Sequence, residues 1–177
     1  DNLAKVVAGQ ITDWFELGQA PGSITLYLPP DGTGSLETFV RQILRPRSLD
    51  ISRNAHRLAS ETEAADAAAK DPRGLALVSL AAQRSARAIN LETQCGLIAK
   101  PTAFAVKTGE YPLMRRLSLQ LPPQLPQPSA RGLVRIAQSA EVQHALGAAR
   151  IVDSSIASLP IEEQAERMAW AANAPAS

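Results

Sequence analysis

Tyr27-Leu28-Pro29-Pro30-Asp31-Gly32-Thr33-Gly34-Ser35-Leu36-Glu37-Thr38-Phe39 is the stretch on which the fold turns. Ile24, Leu26 and Leu28 alternate with Thr25 and Tyr27, the period of a half-buried strand over Ser23 to Leu28. From Ser35 to Leu44 the apolar residues Leu36, Phe39, Val40, Ile43 and Leu44 switch to helical spacing and form one face. The Gly/Thr/Ser turn between them opens directly onto the helix. Free backbone N–H groups and the positive end of a helix dipole then converge on one spot, which suits an oxyanion. The turn is not a P-loop, since no Lys-Ser/Thr pair follows it. It is not a dinucleotide fingerprint either, since Glu37 stands where a third glycine is needed. From pattern alone it reads either as an ordinary strand-to-helix turn or as an anion cradle.

The chain has 177 residues, enough for one sizeable core with appendages. Its 45% hydrophobic and 20% charged content is that of a folded globular chain, and only 4% aromatic residues leave the core to Ala, Leu, Ile and Val. A net charge of +1 without a run of like charge offers no basic patch for nucleic acid. No stretch approaches the ~18 apolar residues of a membrane span. Cys95 is the only cysteine, which excludes an internal disulfide and suits the cytosol and the periplasm alike. The chain opens at Asp1 without a charged n-region and apolar h-region, so any export signal lies outside these residues.

Outward from the central stretch, Asp1 is placed to cap a short helix carrying Leu3, Val6 and Val7, ended by Gly9. Ile11 to Gly18 reads as a tight turn, with Trp14 and Phe15 assigned to the core. Pro46 breaks the helix that begins at Ser35. Ser60-Glu61-Thr62-Glu63 has capping-box spacing ahead of an Ala-rich helix to Lys70. Asp71-Pro72-Arg73-Gly74 turns the chain into the apolar run Leu75 to Leu80, read as a buried strand. Further strands are expected over Ala86 to Leu91 and Leu113 to Leu121. After the Pro-rich loop Pro122 to Pro128, helices are expected from Ser129, after Ser139 and over Ile161 to Ala172, with Pro160 in the last one's first turn and a frayed tail from Ala174.

Catalytic patterns are poor. There is no Gly-x-Ser-x-Gly elbow and no metal-ligand spacing of His or Cys. His56, His144 and Cys95 are scattered and read as lone surface or packed residues, and Arg115-Arg116 as a solvated strand end. The chain is read as a non-enzyme, and no cofactor or metal is implied.

Five segments, in order, resemble the phosphate-binding-protein branch of the periplasmic solute-binding proteins of ABC transporters. Leu3 to Trp14 looks like that family's L-A-x-I-F-x-G-x-I-x-x-W element, which opens the second lobe. Thr33-Gly34-Ser35 sits at its Ser-Gly-Thr anion loop, followed by Thr38-Phe39. Asp71 to Ser79 resembles its D-P-x-x-I-G-Y-V strand entry. Tyr111-Pro112-Leu113-x-Arg115-Arg116-Leu117 resembles its return towards the hinge, and Val152-Asp153-x-Ser155-Ile156 its closing segment.

The resemblance implies an α/β fold, a mixed sheet flanked by helices, forming one lobe of a periplasmic-binding-protein-like fold with extra C-terminal helices. Residues 1–156 would be the second lobe with its hinge-return segment, and 157–177 a connector helix and tail. It further implies phosphate or a similar small oxyanion as ligand, held by Thr33, Gly34 and Ser35 in the periplasm or cell envelope. An ABC permease or an envelope protein would be the partner. Two departures accompany it. The family's cationic Arg a few residues before the loop is replaced here by Pro29, which offers no donor. By the resemblance, these residues begin where the second lobe begins, so the N-terminal part of the first lobe, with its own ligand contacts, is expected to lie outside them. Three hydrogen bonds to a charged ligand give ~1.5–3 kcal/mol each, set against an association cost of ~4–15 kcal/mol. A lone lobe without the Arg is thus expected to bind at about millimolar or weaker. The alternative reading is an envelope scaffold that kept the fold and lost the anion site.

Overall fold

The computed structural model describes residues 1–93, 96–159 and 161–173; Cys95, Pro160 and the tail from Ala174 lie outside the described residues. The chain forms two compact units. One comprises Asp1–Ile89, Leu113–Gln120 and Ala148–Ile151, the other Asn90–Pro112, Leu121–Gly147 and Val152–Ser177.

The first unit is built round β1 (Thr25–Leu28), the central strand of a three-stranded parallel sheet. Its neighbours are β2 (His56–Arg57), in register Tyr27 to His56, and β3 (Gly74–Ala76), in register Leu26 to Leu75. The alternation read from the sequence sets the faces. Leu26 and Leu28 are buried with Leu36, Phe39, Leu44, Ala4 and Val7 in one cluster. Burial of each large side chain there is worth about 1.5–3 kcal/mol. Helix α1 (Asn2–Val7) contributes Ala4 and Val7. Asp1 holds its N-cap position, but its carboxylate accepts from Arg47 Nη2 at 2.7 Å instead of from the helix.

The residues Trp14–Leu17 form a 3-10 turn closed by a capping box between Asp13 and Glu16. Trp14 Nε1 donates to the Arg73 carbonyl at 3.1 Å. Its neighbour Phe15 is 68% exposed, contrary to the core role expected of the pair.

Helix α2 (Gly34–Phe39) runs on through a π turn at Val40–Leu44 into a 3-10 turn at Arg45–Arg47, where Pro46 ends it. Helix α3 (Glu61–Lys70) starts at Ser60, whose hydroxyl accepts from Glu63 N at 3.1 Å. The returning half of the expected capping box is displaced by one residue, with Glu63 Oε2 accepting from Ala59 N at 3.2 Å. Ala64 and Ala65 are fully buried, and their small side chains let the helix approach the sheet closely.

Two strand expectations fail for the same reason. β3 ends at Ala76 instead of Leu80, and Leu113 to Leu121 forms no strand at all. A strand persists only where its N–H and C=O groups find a partner edge. β3 is itself an edge strand, and no described residue pairs with 113–121. Leu117 and Leu119 are 62% and 60% exposed there, and only Leu113 packs against the first unit's core.

In the second unit, β4 (Leu91–Glu92) and β5 (Ile98–Ala99) form a short antiparallel ladder in place of the strand expected over Ala86 to Leu91. The helices are α4 (Ala103–Thr108), α5 (Gln127–Ala137), α6 (Ala140–Ala148) and α7 (Ile161–Asn173). Helix α5 begins two residues earlier than expected, because Pro128 is accommodated in its first turn. Arg167 of α7 pairs with Glu110 at 2.6 Å and lies over the Phe104 ring at 4.7 Å.

Candidate functional site: the turn from β1 to α2

The end of β1 delivers a rigid segment. Leu28 and Pro29 are both fully buried, so the chain leaves the sheet in a fixed direction before turning at Asp31 and Gly32. Gly32 has φ of 82°, a left-handed conformation that glycine adopts without Cβ strain. Thr33 occupies the N-cap position, and its carbonyl accepts from Glu37 N at 2.9 Å. The N–H groups of Gly34, Ser35 and Leu36 therefore belong to the first turn and have no intrahelical acceptor.

The two hydroxyls at this turn point elsewhere. Thr33 Oγ1 donates to the Pro30 carbonyl at 2.6 Å and does not cap the helix. Ser35 Oγ donates to Glu61 Oε1 at 2.5 Å. Glu61, the first residue of α3, also accepts from Ser79 N at 2.9 Å and Ser79 Oγ at 2.8 Å. Its half-buried carboxylate thus ties the start of α2, the start of α3 and the loop after β3 together. What the turn presents outward is main-chain N–H, not hydroxyl.

Two guanidinium groups flank it. Arg57, on β2, reaches Asp31 Oδ1 at 3.1 Å and donates to the Pro29 carbonyl at 3.2 Å, so the turn's own carboxylate is neutralised. Arg115 lies directly over Gly34. A Cβ on Gly34 would stand 2.6 Å from Arg115 Cζ, so the guanidinium fills the space that a side chain at residue 34 would enter. Arg115 is exposed, and among the described residues no carboxylate pairs with it. Proline at position 29 therefore does not leave the turn without a cation.

Thr33, Gly34 and Ser35, the residues singled out by sequence, are brought together at one helix start. Arg115 and Glu61 were not assigned to the site. The pair Arg115-Arg116 is visible as a basic pair but carries no signal of folding back onto residue 34, and Glu61 reads only as part of a capping box.

The remaining candidates do not assemble. His56 sits on β2 with its ring 5.6 Å from that of Tyr27, and His144 lies on α6 in the other unit. No group of three metal-binding side chains occurs among the described residues. Ser155 Oγ accepts from Lys107 Nζ at 2.7 Å, and the same ammonium pairs with Asp153 at 2.6 Å, so the three form one polar cluster in the second unit.

With this geometry in view, the profile of the PBP superfamily domain matches residues 1–135. The chain belongs to the PBP superfamily. It is 30% identical over 119 residues to the phosphate-binding protein PstS of Bacillus subtilis (strain 168), covering 64% of this chain and 36% of that protein. It is also similar to two solved structures. One is an ABC-type phosphate transport receptor from Vibrio cholerae, with TM-score 0.68, 16% identity, 84% of this chain and 60% of that one covered. The other is a putative phosphate ABC transporter substrate-binding protein with bound phosphate from Clostridium perfringens, with TM-score 0.66, 17% identity, 87% of this chain and 61% of that one covered. These likenesses confirm the α/β fold, with its parallel sheet flanked by helices, and agree with the family read from the ordered motifs. None of these relatives is described as an enzyme. The chain spans about a third of the PstS length and about three-fifths of each solved structure.

Proposed function

We propose that residues 1–156 form the second lobe of a phosphate-type solute-binding protein and that residues 157–177 are a connector helix and tail. The lobe binds phosphate or a similar small oxyanion without chemistry, at Thr33, Gly34 and Ser35. Gly34 and Ser35 contribute main-chain N–H groups, and Arg115 is the cation that faces them. The observation that carries this reading is the Arg115 guanidinium seated over Gly34, beside N–H groups with no acceptor in their helix. The relatives named for phosphate binding support it. By the same kinship we place the protein in the periplasm or cell envelope, delivering its ligand to an ABC permease. Among the described residues no helix is long and apolar enough to cross a membrane.

Calorimetric titration of the full chain with phosphate and sulfate tests the reading. Saturable heat with either anion is expected, and silence with both would sink it. Glu61 motivates a second reading, an envelope scaffold without a ligand, because its carboxylate stands beside the turn and takes the Ser35 hydroxyl. Under that reading the anion titrations are silent, and envelope extracts yield a stable protein partner.

A further inference from the structure

Ser79 lies on the loop after β3, at the N-cap of the 3-10 turn Leu80–Ala82, yet its hydroxyl does not cap that turn. It donates instead to Glu61 Oε2 at 2.8 Å, while the Ser79 N–H donates to Glu61 Oε1 at 2.9 Å. The Ser35 hydroxyl donates to the same Oε1 at 2.5 Å. Three donors from two separate segments thus converge on the two oxygens of one carboxylate. Among the described residues no Lys or Arg forms an ion pair with Glu61. The donors are neutral, so hydrogen-bond geometry alone holds the charge there. Such a set is an oxyanion receptor whose occupant belongs to the chain itself.

Glu61 is placed to be exchanged. It stands at the first position of α3 with its side chain half-buried, so it borders water. Swinging out returns rotamer freedom to a long side chain. An emptied set would strand its donors, which couples the departure of Glu61 to the arrival of another oxyanion.

We infer that Ser79 is an anion-binding residue and that Glu61 is an internal occupant which a small oxyanion displaces. The incoming group presents two adjacent oxygens, one to Ser79 Oγ and the other to the Ser79 N–H and the Ser35 hydroxyl. Simple carboxylates meet that requirement, since the donors already fit one, and so does phosphate. Ser35 joins this position to the turn, because its N–H lies in the first turn of α2 and its hydroxyl in the Glu61 set. Phosphate binding here rests on the anion turn proposed above, whereas carboxylate binding does not.

Calorimetry and thermal unfolding of the full chain test this, with acetate and phosphate as probes against sodium chloride at equal ionic strength. The variants are Glu61→Ala (E61A) and the double variant E61A/S79A. The wild type should be silent to acetate. E61A should melt lower, bind acetate saturably and regain melting temperature with it. Phosphate should bind E61A ~10-fold more tightly than the wild type, and adding Ser79→Ala should remove most of that gain. Glu61→Ser carries the same comparison if E61A does not fold. A double variant that binds both probes as tightly as E61A would overturn the role of Ser79 and leave the turn intact. An E61A protein that binds neither probe more tightly than the wild type would overturn the exchange. Acetate binding by E61A with phosphate silent in every variant would instead remove the phosphate turn and keep the Ser35 and Ser79 position.

Discussion

The Ser35 hydroxyl donates to Glu61 Oε1 at 2.5 Å, and this contact places a carboxylate beside the first turn of α2. An oxyanion approaching the Gly34 and Ser35 N–H groups is repelled by that charge and finds the serine proton already taken. Glu61→Gln removes the charge while leaving an amide oxygen that can still accept from the Ser35 hydroxyl. Phosphate binding should tighten ~3–10-fold, a gain of about 1 kcal/mol as expected for one partly screened charge. Loss of the charged hydrogen bonds from Ser35 and Ser79 should lower stability by about 1–2 kcal/mol. Calorimetry and urea unfolding read the two effects separately, and weaker phosphate binding in E61Q would refute the repulsion.

Gly34→Ala puts a methyl group where the Arg115 guanidinium now lies. The guanidinium is the free end of a flexible side chain and can swing away, so the fold should lose less than ~1 kcal/mol. Anion affinity should nevertheless fall by about as much as in Arg115→Gln, ~10-fold for a charge-assisted bond of about 1.4 kcal/mol. In the double variant the two losses should not add, because both remove the same contact. Additive losses in a double-mutant cycle would show that residue 34 and Arg115 act separately.

Pro29→Arg tests whether the family's cation can be put back by sequence alone. Pro29 is fully buried, so the new guanidinium would be forced into the core beside Arg57, which already contacts the residue 29 carbonyl at 3.2 Å. The expected result is destabilisation by roughly 3 kcal/mol or more, with no gain in phosphate affinity. Urea unfolding and calorimetry together check it.

In the second unit, Lys107 and then the Ser155 hydroxyl and N–H hold the Asp153 carboxyl well below the usual carboxylate range. A carboxyl with a lowered folded-state pKa stabilises fully above its unfolded value of about 3.9, and this contribution is lost as pH falls towards the folded value. Thermal unfolding midpoints should therefore drop on acidification below about pH 4, more steeply in the wild type than in Asp153→Asn. At neutral pH the variant should melt lower. Parallel pH profiles for the two proteins would contradict the assignment.

Legibility in the sequence followed the range of the interactions. The β1 strand, the helix after it and the Thr33 to Ser35 turn were readable because alternation, helical spacing and turn chemistry are local. Leu113 to Leu121 alternates as well as β1 does, yet lacks a partner edge, and edge pairing leaves no mark in the segment itself. Pro29 brings no donor to the turn. The cation nearest the turn's glycine is Arg115, more than eighty residues along the chain, and only the fold brings that guanidinium to Gly34. Glu61 was hidden differently, since its place at the start of α3 is explained by helix capping alone.

The most direct measurement is phosphate titration of the wild-type chain, Arg115→Gln and Arg116→Gln by calorimetry. Saturable binding at about millimolar or tighter Kd is expected for the wild type and R116Q, weakened ~10-fold or more in R115Q. A wild type silent to phosphate, or an R115Q protein that binds it as tightly as the wild type, would contradict a phosphate turn completed by Arg115.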